Sequence, residues 1–248
     1  MPGFWGADSY DPLTTSIGGT NLADYVINHQ FASAPRDEIV WWGRYFDQGL
    51  DQSVHWQGDS EANALSNAVK AYGNPSKGSS WILPIASAYG GAINGSYSDG
   101  INGGNYVGGV IRNSLSSRLH LPGNGVLYVY LDIEYGAATN VNFLNGWANA
   151  VNNYPIGGAL PLYACVYINP YDSTNVSLVN QTGLAYFEAW GTEPNSRSCS
   201  PDCNSPGPTW DVQGVNGLAT NVWQYSDAGA CNSYGCGFGY FYVDFDLT

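Results

Sequence analysis

The sequence predicts an α/β protein, a (β/α)8 barrel of the TIM type, with residues 1–248 forming a single domain. Three observations predict it. Barrels of this kind run to about 250 residues as one unit. Short strand-like runs recur along the chain, each followed by a helical or loop segment. The strands also divide by face, one side aliphatic and the other aromatic and acidic.

The strands are predicted near 4–8, 39–46, 81–88, 126–134, 160–168, 185–190, 220–225 and 240–246, with helical patterns near 20–31, 60–72, 103–120, 139–153 and 171–180. In SEANALSNAVKAY (60–72), Ala62, Leu65, Ala68 and Val69 recur at helical spacing, with Ser60 and Asn63 near the start. Thr139 is the expected N-cap of the 139–153 helix. The run GGNYVGG (103–109) lacks the lysine of a phosphate loop and reads as loop or helix-start flexibility. No repeat and no linker divides the chain.

Side chains alternate across a strand, so residues i and i+2 share a face. Leu127, Val129, Leu131 and Ile133 oppose Tyr128, Tyr130, Asp132 and Glu134. Leu162, Ala164, Val166 and Ile168 oppose Tyr163, Cys165, Tyr167 and Asn169. Phe241, Val243 and Phe245 oppose Tyr240, Tyr242, Asp244 and Asp246. An antiparallel sandwich would put the polar face in water. A parallel barrel buries the aliphatic face under helices and turns the aromatic face inward, with acids emerging at the C-terminal mouth. The intervening helical segments favour the barrel, and the mouth is where such barrels carry their chemistry.

Composition narrows the partners. There are 20 acidic residues against 7 Lys and Arg, a net charge of −13, which repels phosphate backbones and anionic membrane surfaces. Nucleic acid is therefore not an expected partner. No apolar run is long enough to span a membrane. Charged residues are only 11% and aromatics 15%, a balance that suits a secreted protein handling sugars, with a Tyr-rich core as the plainer explanation. The chain opens with no charged and apolar leader, so a signal peptide is expected to have been removed. Cys199 with Cys203, and Cys231 with Cys236, form two close pairs in loop-like stretches. They read as two local disulfides, with a four-Cys zinc site as the rival. Cys165 is left over in a strand and is expected to be a buried free thiol. Sequons occur at Asn94, Asn175 and Asn180.

Asp132 and Glu134 on one strand face have Cα atoms about 6.6 Å apart, which allows carboxyl separations of about 5–7 Å, in the range of glycosidase carboxylate pairs. Two acids crowded in a partly dry mouth cannot both ionise easily, and the raised one becomes a proton donor. Asp8, Asp244 and Glu188 are expected to converge on the same mouth with Trp190. Pairing of such acids with Arg44 is the structural alternative. His29, His55 and His120 have no metal-pair spacing, no G-x-S-x-G elbow is present, and neither cofactor nor metal is expected.

The stretch YVYLDIE (128–134) resembles the D-x-E strand of glycoside hydrolase family 25 lysozymes. VWQYSDAG (222–229) and YVDFD (242–246) resemble that family's last two strands. GADSYD (6–11) is similar to its first, PLYACVY (161–167) to its fifth, and EAWGTEP (188–194) to its sixth. WWGRYF (41–46) and ILPIASAYG (82–90) are closer to the less characterised glycoside-hydrolase-like barrels related to that family. The resemblance implies a monomeric, secreted glycosidase acting on a β-1,4-linked N-acetylated polysaccharide. It implies Glu134 as general acid and Asp132 as the residue that stabilises positive charge or orients a substrate N-acetyl group. Asp8 and Asp244 would be flanking acids, with Glu188 in a lesser role. Tyr45, Tyr89, Tyr167, Trp190, Gln224 and Tyr225 would line the groove. Tyr89 is followed by Gly90, where the family carries His. That difference, with the negative charge, leaves a non-catalytic glycan-binding or cell-wall protein on the same barrel as the second reading.

Overall fold

A computed structural model describes residues 5–9, 11–17, 19–25, 39–46, 56–71, 81–87, 93–115, 127–133, 136–154, 161–169, 171–182, 188–192, 219–226 and 243–247. The elements are, in chain order, β1 (Trp5–Ser9), β2 (Ser16–Ile17), β3 (Thr20–Asn21), α1 (Leu22–Asp24), β4 (Ile39–Tyr45), α2 (Asp59–Ala71), β5 (Trp81–Ser87), α3 (Tyr97–Leu115), β6 (Leu127–Ile133), α4 (Val141–Asn152), β7 (Leu162–Ile168), α5 (Ser173–Asn180), β8 (Glu188–Thr192), β9 (Ala219–Ser226) and β10 (Val243–Leu247). β2 and β3 form a separate hairpin, and the other eight strands close on themselves in the order β1, β4, β5, β6, β7, β8, β9, β10.

Pairing is parallel from β1 through β4 to β9, whereas β10 runs antiparallel to both β9 and β1. This departs from an all-parallel ring. An antiparallel neighbour can be reached without the helical crossover that a parallel one needs.

The two strand faces separate as their residues require. Leu127, Val129, Leu131 and Ile133 of β6 and Leu162, Ala164, Val166 and Ile168 of β7 are buried in one cluster with Phe143, Leu144, Trp147 and Val151 of α4. Tyr130, Cys165 and Val222 are fully buried in a second cluster, joined by Tyr45, Tyr128, Tyr163 and Tyr167 from β4, β6 and β7. The aliphatic faces therefore lie beneath helices, and the aromatic faces meet one another. Cys165 is a buried thiol outside any disulfide and the register partner of Tyr130.

Helix α3 contains the glycine-rich run, which is helix interior and not a loop. A Cβ at Gly100 would stand 2.1 Å from the Phe143 carbonyl oxygen, and one at Gly104 would stand 2.7 Å from the Trp147 oxygen. A Cβ at Gly146 of α4 would meet the Tyr97 oxygen at 2.0 Å. The glycines are there because the two helix backbones touch, not because the chain must bend. Gly103, on the neighbouring face, has only ordinary contacts at 3.8 Å. Ser96 and Asp99 start the helix with reciprocal hydrogen bonds, the Asp99 carboxylate accepting from Ser96 N–H and Oγ at 2.7 Å. The Ser96 hydroxyl, then the Ser96 N–H, holds the Asp99 carboxyl below its usual value. That stabilisation is present above the usual carboxylate range and is lost as pH falls through the lowered value.

The α2 helix is held to the barrel by a buried ion pair. Arg44 Nε donates to Glu61 Oε2 at 2.7 Å, and both side chains are fully buried. Glu61 also accepts from the N–H groups of Leu13 at 2.9 Å and Gln57 at 2.6 Å. Arg44 Nη1 donates to the Ser9 carbonyl of β1, also at hydrogen-bond distance (2.5 Å), and Trp42 Nε1 donates to Ser9 Oγ at 2.9 Å. Glu61 and Ser9 are thus among the partners of Arg44. Leu65 and Ala68 are buried on the face of α2 that the sequence pattern predicts, with Ala62 partly buried. The N-cap of α4 is Asn140, whose side chain accepts from Phe143 N–H at 2.9 Å. Thr139, one residue earlier, donates its hydroxyl to the Ile93 carbonyl instead, at 2.8 Å.

Gly104→Ala is expected to destabilise the protein by about 1–3 kcal/mol through overpacking against α4. Gly103→Ala should be neutral or stabilise by up to about 1 kcal/mol from helix propensity. Urea unfolding of the two variants reads the difference, and equal effects would contradict the close approach of α3 and α4.

Candidate functional site

The site is assembled from register pairs at the C-terminal end of β6. Going up the interior face, Tyr128 pairs with Tyr163, Tyr130 with Cys165, and Asp132 with Tyr167. The lowest pair is an edge-on aromatic contact, ring centroids 5.7 Å apart at 71°. The middle pair is fully buried. Asp132 tops the stack at 8% exposure, and Tyr167 beside it is half-buried. Among the described residues, those below Asp132 on this face of β6 and β7 are Tyr128, Tyr130, Tyr163 and Cys165.

The neighbours of Asp132 follow from the same pairing. Ser87 of β5 is its partner on one side. On the other, Tyr167 pairs with Trp190 of β8, which pairs with Val222 of β9. Trp190 thus holds a register position between two members of the interior cluster. Gln224 of β9 pairs with Thr192 and Asp246, and shares the parity of Val222, whereas position 225 has the opposite parity. Asp8 of β1 is 1% exposed and is the register partner of Asp244 on β10 and of Gly43 on β4. Glu188 opens β8 opposite Ala219. Tyr45 is partly buried against the interior cluster. The described residues include one member of the D-x-E pair, Asp132. Glu134 and Tyr89 lie outside them, as do Cys199, Cys203, Cys231, Cys236 and the three histidines.

A set of side chains absent from the sequence reading holds the chain just beyond this point. Gly136, with φ of +79°, turns the backbone after β6, in a region that favours glycine. Its N–H donates to Asp172 Oδ2 at 3.1 Å. Asp172, 8% exposed, caps α5 by accepting from Asn175 N–H at 3.1 Å, and also accepts from Asn175 Nδ2 at 2.9 Å. Asn175 Nδ2 reaches back to the Ala137 carbonyl at 2.8 Å. Asn175 is 2% exposed, so this sequon is occupied by packing and is no glycan acceptor, while Asn94 and Asn180 are exposed. On the other flank, Asn140 Nδ2 donates to the carbonyls of Asn94 and, at 3.1 Å, Gly95. The segment from Gly136 to Asn140 is therefore tied to both neighbouring loops. The signal for Asp172 was present, an Asp directly before a helical run.

Among the described residues, no group of three His, Cys, Asp or Glu side chains is placed to hold a metal ion. Nor is any described helix long and apolar enough to cross a membrane.

No family model and no curated protein matches the chain. Two solved structures are similar to it. One is an uncharacterized protein of B. stearothermophilus, 18% identical, with a TM-score of 0.65 over 99% of this chain and 96% of that one. The likeness shows a shared fold across nearly the full length of both chains. The other is the catalytic domain of endolysin ply40 from bacteriophage P40 of Listeria monocytogenes, 14% identical, with a TM-score of 0.46 over 98% of this chain and 92% of that one.

Removing the carboxylate in Asp172→Ala takes the acceptor from Gly136 and should cost about 1–3 kcal/mol. Hydrogen exchange is expected to speed up at the Gly136 amide and stay unchanged in mid-α3. Unaltered protection at Gly136 would contradict the tie.

Proposed function

We propose that this protein is a secreted glycoside hydrolase, lysozyme-like, that cuts a β-1,4-linked N-acetylated glycan such as peptidoglycan by carboxylate acid catalysis. The observation that carries the reading is the placement of Asp132. It is a nearly buried carboxylate at the C-terminal end of a parallel strand, stacked above Tyr130 and beside Tyr167. The ends of parallel strands in a closed barrel are where such folds carry their chemistry. On the same grounds we read the barrel as a TIM-type variant whose last strand is reversed.

In this reading Glu134, two residues on, is the general acid. Its carboxyl donates a proton to the glycosidic oxygen as the bond from that oxygen to the anomeric carbon breaks. The positive charge left on the sugar is met by the Asp132 carboxylate, or by the carbonyl oxygen of a substrate N-acetyl group that Asp132 orients. Water then adds to the anomeric carbon and returns a proton to Glu134, leaving a new reducing end. Asp8, Asp244 and Glu188 add negative charge that keeps the acid protonated. Tyr45, Tyr89, Tyr167, Trp190 and Gln224 line the groove, whereas Tyr225, on the opposite face of β9 from Gln224, does not. The low share of charged residues, the two cysteine pairs read as disulfides, and the aromatic content support secretion. The net charge of −13 favours a second reading, in which the same mouth binds a glycan with little or no turnover.

Reducing-end release from peptidoglycan, chitin-type polymer and a neutral polysaccharide tests this. The wild type should release ends from an N-acetylated polymer, and Glu134→Gln should lower kcat by at least about 10²-fold. Turnover that survives Glu134→Gln removes the acid assignment. Binding without release on every polymer supports the second reading.

A further inference from the structure

The loop between β7 and α5 presents an exposed aromatic ring on a braced frame. Three large hydrophobic side chains stand exposed among the described residues: Tyr97, Tyr106 and, most of all, Tyr171 at 58%. A single exposed Tyr normally needs no explanation. Tyr97 and Tyr106 are on α3, in the helical layer, and the Tyr97 hydroxyl accepts from Asn149 at 2.9 Å. Tyr171 is different in position and in how it is held. It follows β7 by three residues, at the same end of the strands as Asp132.

Its backbone is fixed from both sides. Tyr171 N–H donates to Asn169 Oδ1 at 2.9 Å, Asp172 N–H donates to the Asn169 carbonyl at 3.0 Å, and Ser173 N–H donates to the Tyr171 carbonyl at 2.9 Å. The next residue, Asp172, is buried and tied to Gly136 in the neighbouring loop after β6. A ring held out on a frame already ordered loses little freedom when a ligand covers it, so its contact area converts to affinity at low cost. Along the chain, Tyr167, the register partner of Asp132, is followed by the half-buried Asn169 and then by Tyr171.

We propose that Tyr171 is an outer sugar-binding position, on which one pyranose ring of a polysaccharide rests its C–H face while the bond to be cut lies over Asp132. An uncharged, weakly polar ring suits a neutral sugar face. A chain of charge −13 disfavours the nucleic acid bases that an exposed aromatic also stacks. The proposal deepens the glycan reading of the mouth and rests on it for the class of ligand.

The test measures binding to the full-length protein carrying Glu134→Gln, by calorimetry, with the β-1,4 hexamer and dimer of N-acetylglucosamine as probes and the glucose hexamer as a second glycan. Adding Tyr171→Ala should weaken hexamer binding by roughly three- to tenfold and leave the dimer unchanged. Tyr171→Phe should restore the affinity, and Tyr106→Ala should have no effect. Hexamer affinity that Tyr171→Ala leaves intact overturns the proposal, as does failure of both hexamers to bind. Weakening by Tyr171→Ala in a protein whose wild type releases no reducing ends sinks the hydrolase reading alone. Release of reducing ends with no effect of Tyr171→Ala sinks the outer position alone.

Discussion

The two-residue period of an extended chain is the constraint on which the rest of this structure depends. On β6 and β7 it sends Leu, Val and Ile to one side and Tyr, Cys and Asp to the other. Burying the aliphatic sides under α4 is favourable at about 25 cal/mol per Å² of apolar surface. Once they are buried, the opposite sides have no choice but to face one another inside the ring. A slip of one residue would put Asp132 beneath α4 and Leu131 in the interior, moving a carboxylate from the end of the aromatic stack into hydrocarbon. Register and site are thus one property. The layers of Tyr128 with Tyr163 and Tyr130 with Cys165 close the floor, and Asp132 lies at the level where the floor ends.

Polar anchors outside the barrel interior then position what surrounds that level. The Arg44–Glu61 pair is taken fully from water, which is costly, but Glu61 accepts two further N–H groups and Arg44 reaches the Ser9 carbonyl. So satisfied, the pair is dangerous only when broken, since a lone buried charge costs about 3–5 kcal/mol. It fixes α2 and the segment around Leu13 to β1 and β4. Asp172 has the corresponding role at the other side, one carboxylate capping α5 and holding the turn at Gly136. Close backbone contact, allowed by Gly100, Gly104 and Gly146, sets α3 directly against α4, which covers β6 and β7.

Much of this was legible in the sequence because it rests on local periodicity. The eight strands fall where alternation puts them, and the inward set Tyr128, Tyr130, Asp132 could be read directly from YVYLD. What was not legible involves partners far apart in the chain. Arg44 pairs with Glu61 from a helix, and nothing in the spacing of 44 and 61 says so. GGNYVGG read as loop or helix-start flexibility because glycine is a poor helix former, whereas Gly104 lies where the α4 backbone leaves no room for a Cβ and Gly108 where the Tyr154 ring leaves none. Thr139 and Asn140 are both good caps by residue type, and the choice of Asn140 depends on the Ile93 carbonyl drawing the Thr139 hydroxyl away. Asn175 matched a glycosylation signal that burial cancels. The reversal of β10 had no signature, since alternation looks the same in either direction.

The account stands on Asp132 and Glu134 sharing one enclosed pocket as an interacting pair. Carbon-13 NMR of the labelled carboxyls, followed from acid to neutral pH, measures this directly. Two carboxyls in one partly dry space titrate in separated steps, the later one well above the ordinary carboxylate range. The account predicts that the later step vanishes in Glu134→Gln and that the Asp132 carboxyl then titrates at lower pH. Independent titration at ordinary values, with Asp132 unmoved by Glu134→Gln, would contradict it.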